Sequence, residues 1–530
     1  MWQYSDYSKV NSEVRNHFPF KTPRPDQLET ASEIADAIAR GYRYIVLEAG
    51  TGTGKSAIAA TLSSMYDSSY ILTVTKQLQE QYLDDFRNLS LVKGRANFYC
   101  RKDSSLTCDV GKCICEGEPC ENPKTECDYH IQKQKALNSK TVISNYHYMF
   151  LELNYVNDFT KRELLICDEA HNLENVIMSQ LKLEFSADDL SEHLKMDITD
   201  DMIYELDAGD YDVWLMFIQE VRDKYLKELE RIEGIPKPHL MEKVAFIRGE
   251  IASCSHFIEN IAYDPYGWIF DYNQDYKTLE FKPLKVDRYA RNTLLDYGEV
   301  CIFMSATILD WKFFAKCLGI AEDEIYPIRK KSPFDMKRNP VMSFDKYNLS
   351  RRTIAENAPK TIGVIKSILD RHSAEKGMIH TVSASCRDYL MENLNDSRLI
   401  EHKTKNRAEQ LDRFKKSTEP LVLISPSMNE GVDLPGDECR FQIIYKLPYP
   451  DLGDRQIMLR ANADEDWYNY KTALSLIQTY GRGMRFEDDY CVTYFIDSRI
   501  GEFVENDRFI PDSFKYHFKQ SKSDDKPQTP

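Results

Sequence analysis

Apolar residues along this chain recur in two patterns, short β-branched runs and helical stripes, and the two alternate. The run Tyr44-Ile45-Val46-Leu47 predicts a buried strand, and the pattern from Ala57 to Leu62 predicts the helix after it. A helical stripe from Leu28 to Ala39, ending near Gly41, precedes them. Residues Tyr70–Thr75 predict a second strand, running into a helix that opens at Lys76–Gln81. Residues Thr141–Tyr148, Leu164–Cys167 and Val300–Met304 continue the strand series. From about 173 to 283 the texture is different. Helical spacing recurs at Leu183–Leu194, Tyr211–Ile232 and Leu240–Ile261, which predicts a helical insertion closed by a hairpin at Trp268–Phe270 and Leu279–Pro283. A second series begins near 335, with strands expected at Gly377–Val382, Leu421–Ser425, Phe441–Tyr445 and Tyr490–Ile496. Helical patterns between strands imply crossover connections and a parallel sheet, so the fold class is α/β. The tail, Lys519 to Pro530, has no apolar residue but its prolines and is expected to be disordered.

The bulk numbers change this picture little. A length of 530 residues is too great for one core and suggests three or four domains. No run is apolar enough to span a bilayer. Residues Met1–Asp6 lack the basic region and apolar stretch of a secretory signal, so a cytoplasmic protein without a membrane partner is expected. The net charge of −16 counts against a surface coated in phosphate contacts, but not against a channel lined locally by Lys and Arg. The 13 cysteines are unevenly placed. Six of them (Cys100, Cys108, Cys113, Cys115, Cys120, Cys127) fall within 28 residues, which in a reducing compartment reads as a metal site. Thiolates serve zinc and iron–sulfur clusters alike, and no Cys-x2-Cys pair decides between them.

Candidate chemistry begins between the first strand and its helix, at Ala49-Gly50-Thr51-Gly52-Thr53-Gly54-Lys55-Ser56. Glycines there let backbone N–H groups curl around a phosphate, Lys55 reaches the β- and γ-phosphates, and Ser56 ligates magnesium. This predicts ATP–Mg²⁺ binding. Gln27, one helix earlier, is placed to read the adenine edge with its two-sided amide. The expected strand 164–167 delivers Asp168-Glu169-Ala170-His171. Asp168 is expected to hold Mg²⁺ and Glu169 to polarise the attacking water, with His171 coupling the pair to a neighbouring domain. Ser305 and Thr307, at the end of the strand 300–304, are a small hydroxyl pair that a plain turn would also explain. In the second series, Gln478, Arg482 and Arg485 would share one helix face at i, i+4 and i+7. Two arginines on one domain, facing a phosphate loop on another, suit a trans-acting arginine finger.

Taken together, the motifs resemble those of a superfamily 2 helicase, in order and spacing, over nearly the whole chain. The cysteines between the phosphate loop and Asp168, and the insertion after it, are similar to the XPD/DinG family of iron–sulfur DNA helicases. Lys93–Cys100 looks like that family's lead-in to its first cluster ligand, and Glu126–Tyr129 like its last. The resemblance implies a 4Fe–4S cluster held by Cys100, Cys113, Cys120 and Cys127, with Cys108 and Cys115 spare. It also implies two RecA-like motor domains, a helical arch, and ATP-driven 5′→3′ movement of a monomer on single-stranded and forked DNA. Asp433, in the segment Ser427–Leu434, joins the nucleotide site on the same ground. Expected boundaries are 1–99, 140–172 and 284–333 for the first motor domain, 100–139 for the cluster domain, 173–283 for the arch and 334–518 for the second motor domain. Tyr99, Tyr129, Tyr146 and Tyr148 are candidates to stack on bases. A translocase that remodels DNA without unwinding, or a scaffold with a dispensable motor, would carry the same motifs.

Overall fold

The computed structural model describes residues 2–111, 122, 126–233, 238–427, 434–484 and 488–523. Two parallel sheets organise the chain. The first has seven strands in the order Ile325–Lys330, Tyr44–Ala49, Gly298–Ser305, Arg162–Asp168, Ser69–Thr73, Thr141–Asn145 and Ser90–Leu91, every pair parallel. Its central strands are buried on both faces, as the unbroken apolar runs require. The second has six strands in the order Val341–Tyr347, Val492–Asp497, Phe441–Ile444, Gly377–His380, Val422–Ser425 and Leu399–Glu401, again all parallel. The α/β expectation stands. The strands 90–91, 325–330, 341–347 and 399–401 escaped the sequence pattern because they are short or lie at sheet edges with polar interruptions.

The insertion is helical in bulk, with long helices at Tyr211–Ile232 and Pro238–Tyr263, and it carries the expected hairpin, Trp268–Asn273 against Thr278–Pro283. One part of the expectation is corrected. Leu183–Leu194 is not one helix: Leu183–Ser186 is a third strand, antiparallel to 278–281, and only Ala187–Leu194 is helical. Backbone pairing with a segment some ninety residues on (Leu183↔Phe281) overrides the local helical spacing. Phe257 and Phe270 pack against Phe281, and Trp268 against Phe257, sealing this sheet against the helices. The tail is corrected too. The last helix runs Asp512–Ser523, anchored by buried Phe514 and Phe518 and by His517 on the Asn339 carbonyl, so Lys519 and Gln520 belong to a helix rather than a disordered end.

Register in the first sheet sets the stage for chemistry. The strand 298–305 lies between 44–49 and 162–168, so Ser305 stands opposite Glu48 while Met304 stands opposite both Leu47 and Asp168. The phosphate loop, Asp168 and Ser305 therefore leave the sheet side by side at its carboxyl edge, where ligands of open α/β sheets bind.

Candidate active site

The loop after Ala49 turns on two glycines with left-handed backbones, Gly52 at φ 83° and Gly54 at φ 79°, and Gly54 caps the helix Lys55–Met65. Thr53 Oγ1 closes the turn by donating to the Gly50 carbonyl at 2.7 Å. Lys55 Nζ donates to the Ala49 carbonyl at 3.0 Å, folded along its own loop. Gln27 is buried against that loop. Its Oε1 accepts from the Arg24 N–H at 2.7 Å, and its Nε2 donates to the Gly54 carbonyl at 3.2 Å. Arg24 adds a second brace, Nη1 to the Gly52 carbonyl at 2.7 Å. One amide hydrogen of Gln27 is left over for a ligand, and the rest of the group holds the loop.

Asp168 ends its strand fully buried. Its Oδ1 accepts from the Glu169 N–H at 3.0 Å and its Oδ2 from the Tyr82 hydroxyl at 3.0 Å. Burial, then the neighbouring Glu169, push its carboxyl up to about 6 against the pull of Lys55. Burial, then the Asp168 carboxylate, push the Tyr82 phenol well above its ordinary value, while the Ser56 side chain pulls the other way. Ser56 and Asp168 offer hard oxygens, the donor set magnesium takes. Glu169 sits at φ 52°, an uncommon conformation for a non-glycine residue, with its carboxylate partly exposed. His171 Nδ1 pairs with Ser305 Oγ at 2.8 Å, and Asn172 Nδ2 pairs with His171 Nε2 at 2.8 Å. Ser305 is therefore more than a turn residue, since it ties the His171 imidazole to the next strand.

Across a cavity of about 210 Å³, Tyr480, Gly481 and Met484 of the second domain face Gly50 and Thr51 of the loop. The expected helix face is corrected here. The helix Glu465–Tyr480 stops at Tyr480, and Gly481–Gly483 forms a 3₁₀ turn, so Gln478 and Arg482 do not follow α-helical i, i+4 spacing. The glycines flanking Arg482 favour the tighter turn. Arg485 and Asp433 lie outside the described residues. Gln478 lines a second, larger cavity of about 650 Å³ with His171, His380 and Ser425, and its buried Oε1 has no partner among the described residues. Burial, reinforced by the charge of Arg482, holds His380 neutral, down at about 3.

Sequence reasoning missed Tyr82, which had no motif to mark it, and Glu174, three residues past His171. Glu174 is buried between the domains and meets Lys471 at 2.9 Å, Arg460, and the Trp467 indole at 3.2 Å. Burial alone would raise its carboxyl, but Lys471 and then Arg460 outweigh that and hold it below its ordinary value. Of the tyrosine candidates, Tyr129, Tyr146 and Tyr148 are buried, and Tyr146 donates to the Asp168 carbonyl at 2.8 Å, so they are packing and bracing groups. Tyr99 alone of the four is exposed.

Cys100, Cys108 and Cys127 are buried, and Cys108 Sγ lies 4.0 Å from Cys127 Sγ. Cys108 was expected to be spare, yet it is the described thiol that approaches Cys127. Cys113, Cys115 and Cys120 lie outside the described residues, and the described residues by themselves assemble no group of three or more metal donors. Thiols are the donors a soft-ligand metal group would need.

Residues 375–515 match the family described as helicase C-terminal domain, and residues 20–196 the family described as type III restriction enzyme, res subunit. The chain is 25% identical to the ATP-dependent DNA helicase YoaA of Haemophilus influenzae, over 94% of each protein. It is 22% identical to the protein of the same name from Escherichia coli, over 92% of this chain and 93% of that one. Among solved structures it is similar to an XPD helicase with a TM-score of 0.65 and 16% identity, covering 95% of this chain and 98% of that one. At that identity the structural likeness speaks for the fold. No helix among the described residues is long and apolar enough to cross a membrane.

Proposed function

We propose that this chain, which belongs to the XPD/DinG-like family of superfamily 2 helicases, is an ATP-dependent DNA helicase that moves 5′→3′ on single-stranded DNA and opens forked duplexes. The observation that carries this reading is the meeting of Lys55, Ser56 and the Asp168-Glu169 pair at one sheet edge, with a second parallel-sheet domain facing them across a cleft.

Magnesium-bound ATP would supply the phosphoanhydride bond, the metal neutralising charge on its phosphates. The chain's own residues do the rest. Lys55 would leave the Ala49 carbonyl for the phosphates, and the loop amides of Gly50 to Gly54 would bind beside it. Ser56 and Asp168 would hold the metal, and Glu169 would take the proton of the attacking water. Arg482 and Arg485 would approach from the second domain, with Gln478 and Asp433 beside them, as the domains close. The bond from His171 to Ser305 and the Glu174 ion pairs are routes by which closure reaches the neighbouring strand and domain.

The family supports a 4Fe–4S cluster in the segment 100–139, an arch in 173–283 and motor domains built from the remaining blocks. Cys100, Cys120 and Cys127 would be ligands, with Cys113 or Cys108 completing the set. Iron and sulfide content of protein purified without oxygen tests the cluster, and comparing Cys108→Ser with Cys113→Ser assigns the fourth ligand. A forked duplex with a 5′ tail tests the motor: unwinding should require ATP, prefer that tail over a 3′ one, and vanish in Lys55→Ala. DNA-stimulated ATP hydrolysis that survives Lys55→Ala would overturn the reading.

A further inference from the structure

Tyr82 does not come from the phosphate loop or from the strand that carries Asp168. It projects from the helix Lys76–Asp85, which Thr75 caps by accepting the Leu78 N–H and which follows the strand neighbouring that of Asp168. Its ring is 1% exposed and packs against Phe86, with ring centroids 5.9 Å apart, so the hydroxyl has a fixed position.

That position orders one carboxylate oxygen. A phenol has one proton to give, and here it goes to Asp168 Oδ2 at 3.0 Å. The Asp168 carboxylate, otherwise free to turn about its last torsion, is held at Oδ1 by a backbone N–H and at Oδ2 by this phenol. Among the described residues Tyr82 is the one side chain that hydrogen-bonds the Asp168 carboxylate. A buried tyrosine that served only packing could satisfy its hydroxyl on any nearby carbonyl, as Tyr70 does on Thr160 and Tyr146 on Asp168. Tyr82 instead gives its proton to the carboxylate that ends the strand Arg162–Asp168.

Resting on the reading of Asp168 as a magnesium ligand, we propose that Tyr82 is a positioning residue that presets this carboxylate for the metal. Groups hydrogen-bonded to metal ligands commonly change metal affinity by about tenfold to 100-fold when removed. In Tyr82→Phe the Mg²⁺ midpoint for binding a fluorescent ATP analogue to the full chain should therefore rise by about tenfold or more. Affinity at saturating Mg²⁺ should recover, and affinity without Mg²⁺ should not move. Asp168→Asn should itself blunt the Mg²⁺ dependence, and adding Tyr82→Phe to it should change the midpoint no further, because the two act as one unit. Incorporating 3-fluorotyrosine at position 82 keeps the hydroxyl and should keep the midpoint close to wild type.

An unchanged midpoint in a folded Tyr82→Phe protein would overturn the proposal. So would a full additional shift in the Asp168→Asn background, or a 3-fluorotyrosine protein that behaves like the Phe variant. Lys55→Ala separates the two readings. Loss of analogue binding there, with no Mg²⁺ shift in Tyr82→Phe, leaves the motor standing and sinks the role of Tyr82. Magnesium-independent binding by the wild type would sink the assignment of Ser56 and Asp168 as ligands.

Discussion

The Lys471 ammonium lies 2.9 Å from the Glu174 carboxylate, both side chains nearly free of solvent, across the boundary between the two parallel-sheet domains. Arg460 and the Trp467 indole approach the same carboxylate from the second domain. Glu174 sits three residues past His171, so the strand end that carries the catalytic pair is wired directly to the far domain. Removing one partner of a buried ion pair strands the others and typically costs about 3–5 kcal/mol. Glu174→Gln should lose stability of that order in urea titration. The single unfolding transition should also split, because the link that makes the domains unfold together is cut. A single transition at the wild-type midpoint would show that the pairs carry no interdomain coupling.

Glu169 has the exposure and position the proposed general base needs, while Asp168 is buried and bonded to Tyr82. Glu169→Gln should lower ATP turnover by about 10²- to 10⁴-fold and leave nucleotide binding in place. Equal losses in binding and turnover would instead make Glu169 a binding residue.

Gly54 has φ 79°, and a Cβ there would stand 1.9 Å from Gln27 Nε2. Gly54→Ala forces a side chain into the left-handed region, at about 1–2 kcal/mol, and displaces the glutamine that braces the loop. Nucleotide affinity should fall by about tenfold or more, since about 1.4 kcal/mol is a factor of ten. Calorimetric titration with the ATP analogue reads this directly.

Glu250, on the long helix Pro238–Tyr263, is pushed up to about 7 by burial and then by Asp189. A carboxyl whose folded value is raised binds more protons folded than unfolded. Stability therefore falls as pH rises through the window between its ordinary value and about 7, and the cost is complete above it. Because the group is partly exposed, that cost is about 1–2 kcal/mol. Glu250→Gln should match wild type near pH 4 and melt higher at pH 8. A difference that is the same at both pH values would assign the effect to packing.

Much of this site is legible from covalent spacing. The glycines and Lys55-Ser56 follow a strand and open a helix, and the chemistry of a phosphate loop needs only that continuity. Asp168-Glu169 likewise needs only the apolar strand before it. The helix from Gln27 to Ala39 follows from its stripe, and the two α/β series follow from alternation of periods. These are local statements, because hydrophobic period and turn chemistry decide which face of an element is buried.

What lies opposite that face is not local. Tyr82 and Asp168 are 86 positions apart, and His171 and Ser305 are 134 apart; only sheet order makes them neighbours. Leu183–Ser186 has helical spacing yet becomes a strand because Thr278–Phe281 offers it a backbone ladder. Gln478 and Arg482 fit a helix wheel, but the glycines around Arg482 end the helix at Tyr480. Glu174 reads as an ordinary acidic residue until folding brings Lys471 and Arg460 to it. The sequence by itself determined the nucleotide loop, the catalytic pair and the α/β alternation, since these rest on neighbours in the chain. The tertiary structure decided which hydroxyl meets the Asp168 carboxylate and which carboxylate joins the domains, since a buried polar group is defined by the partner that compensates its burial.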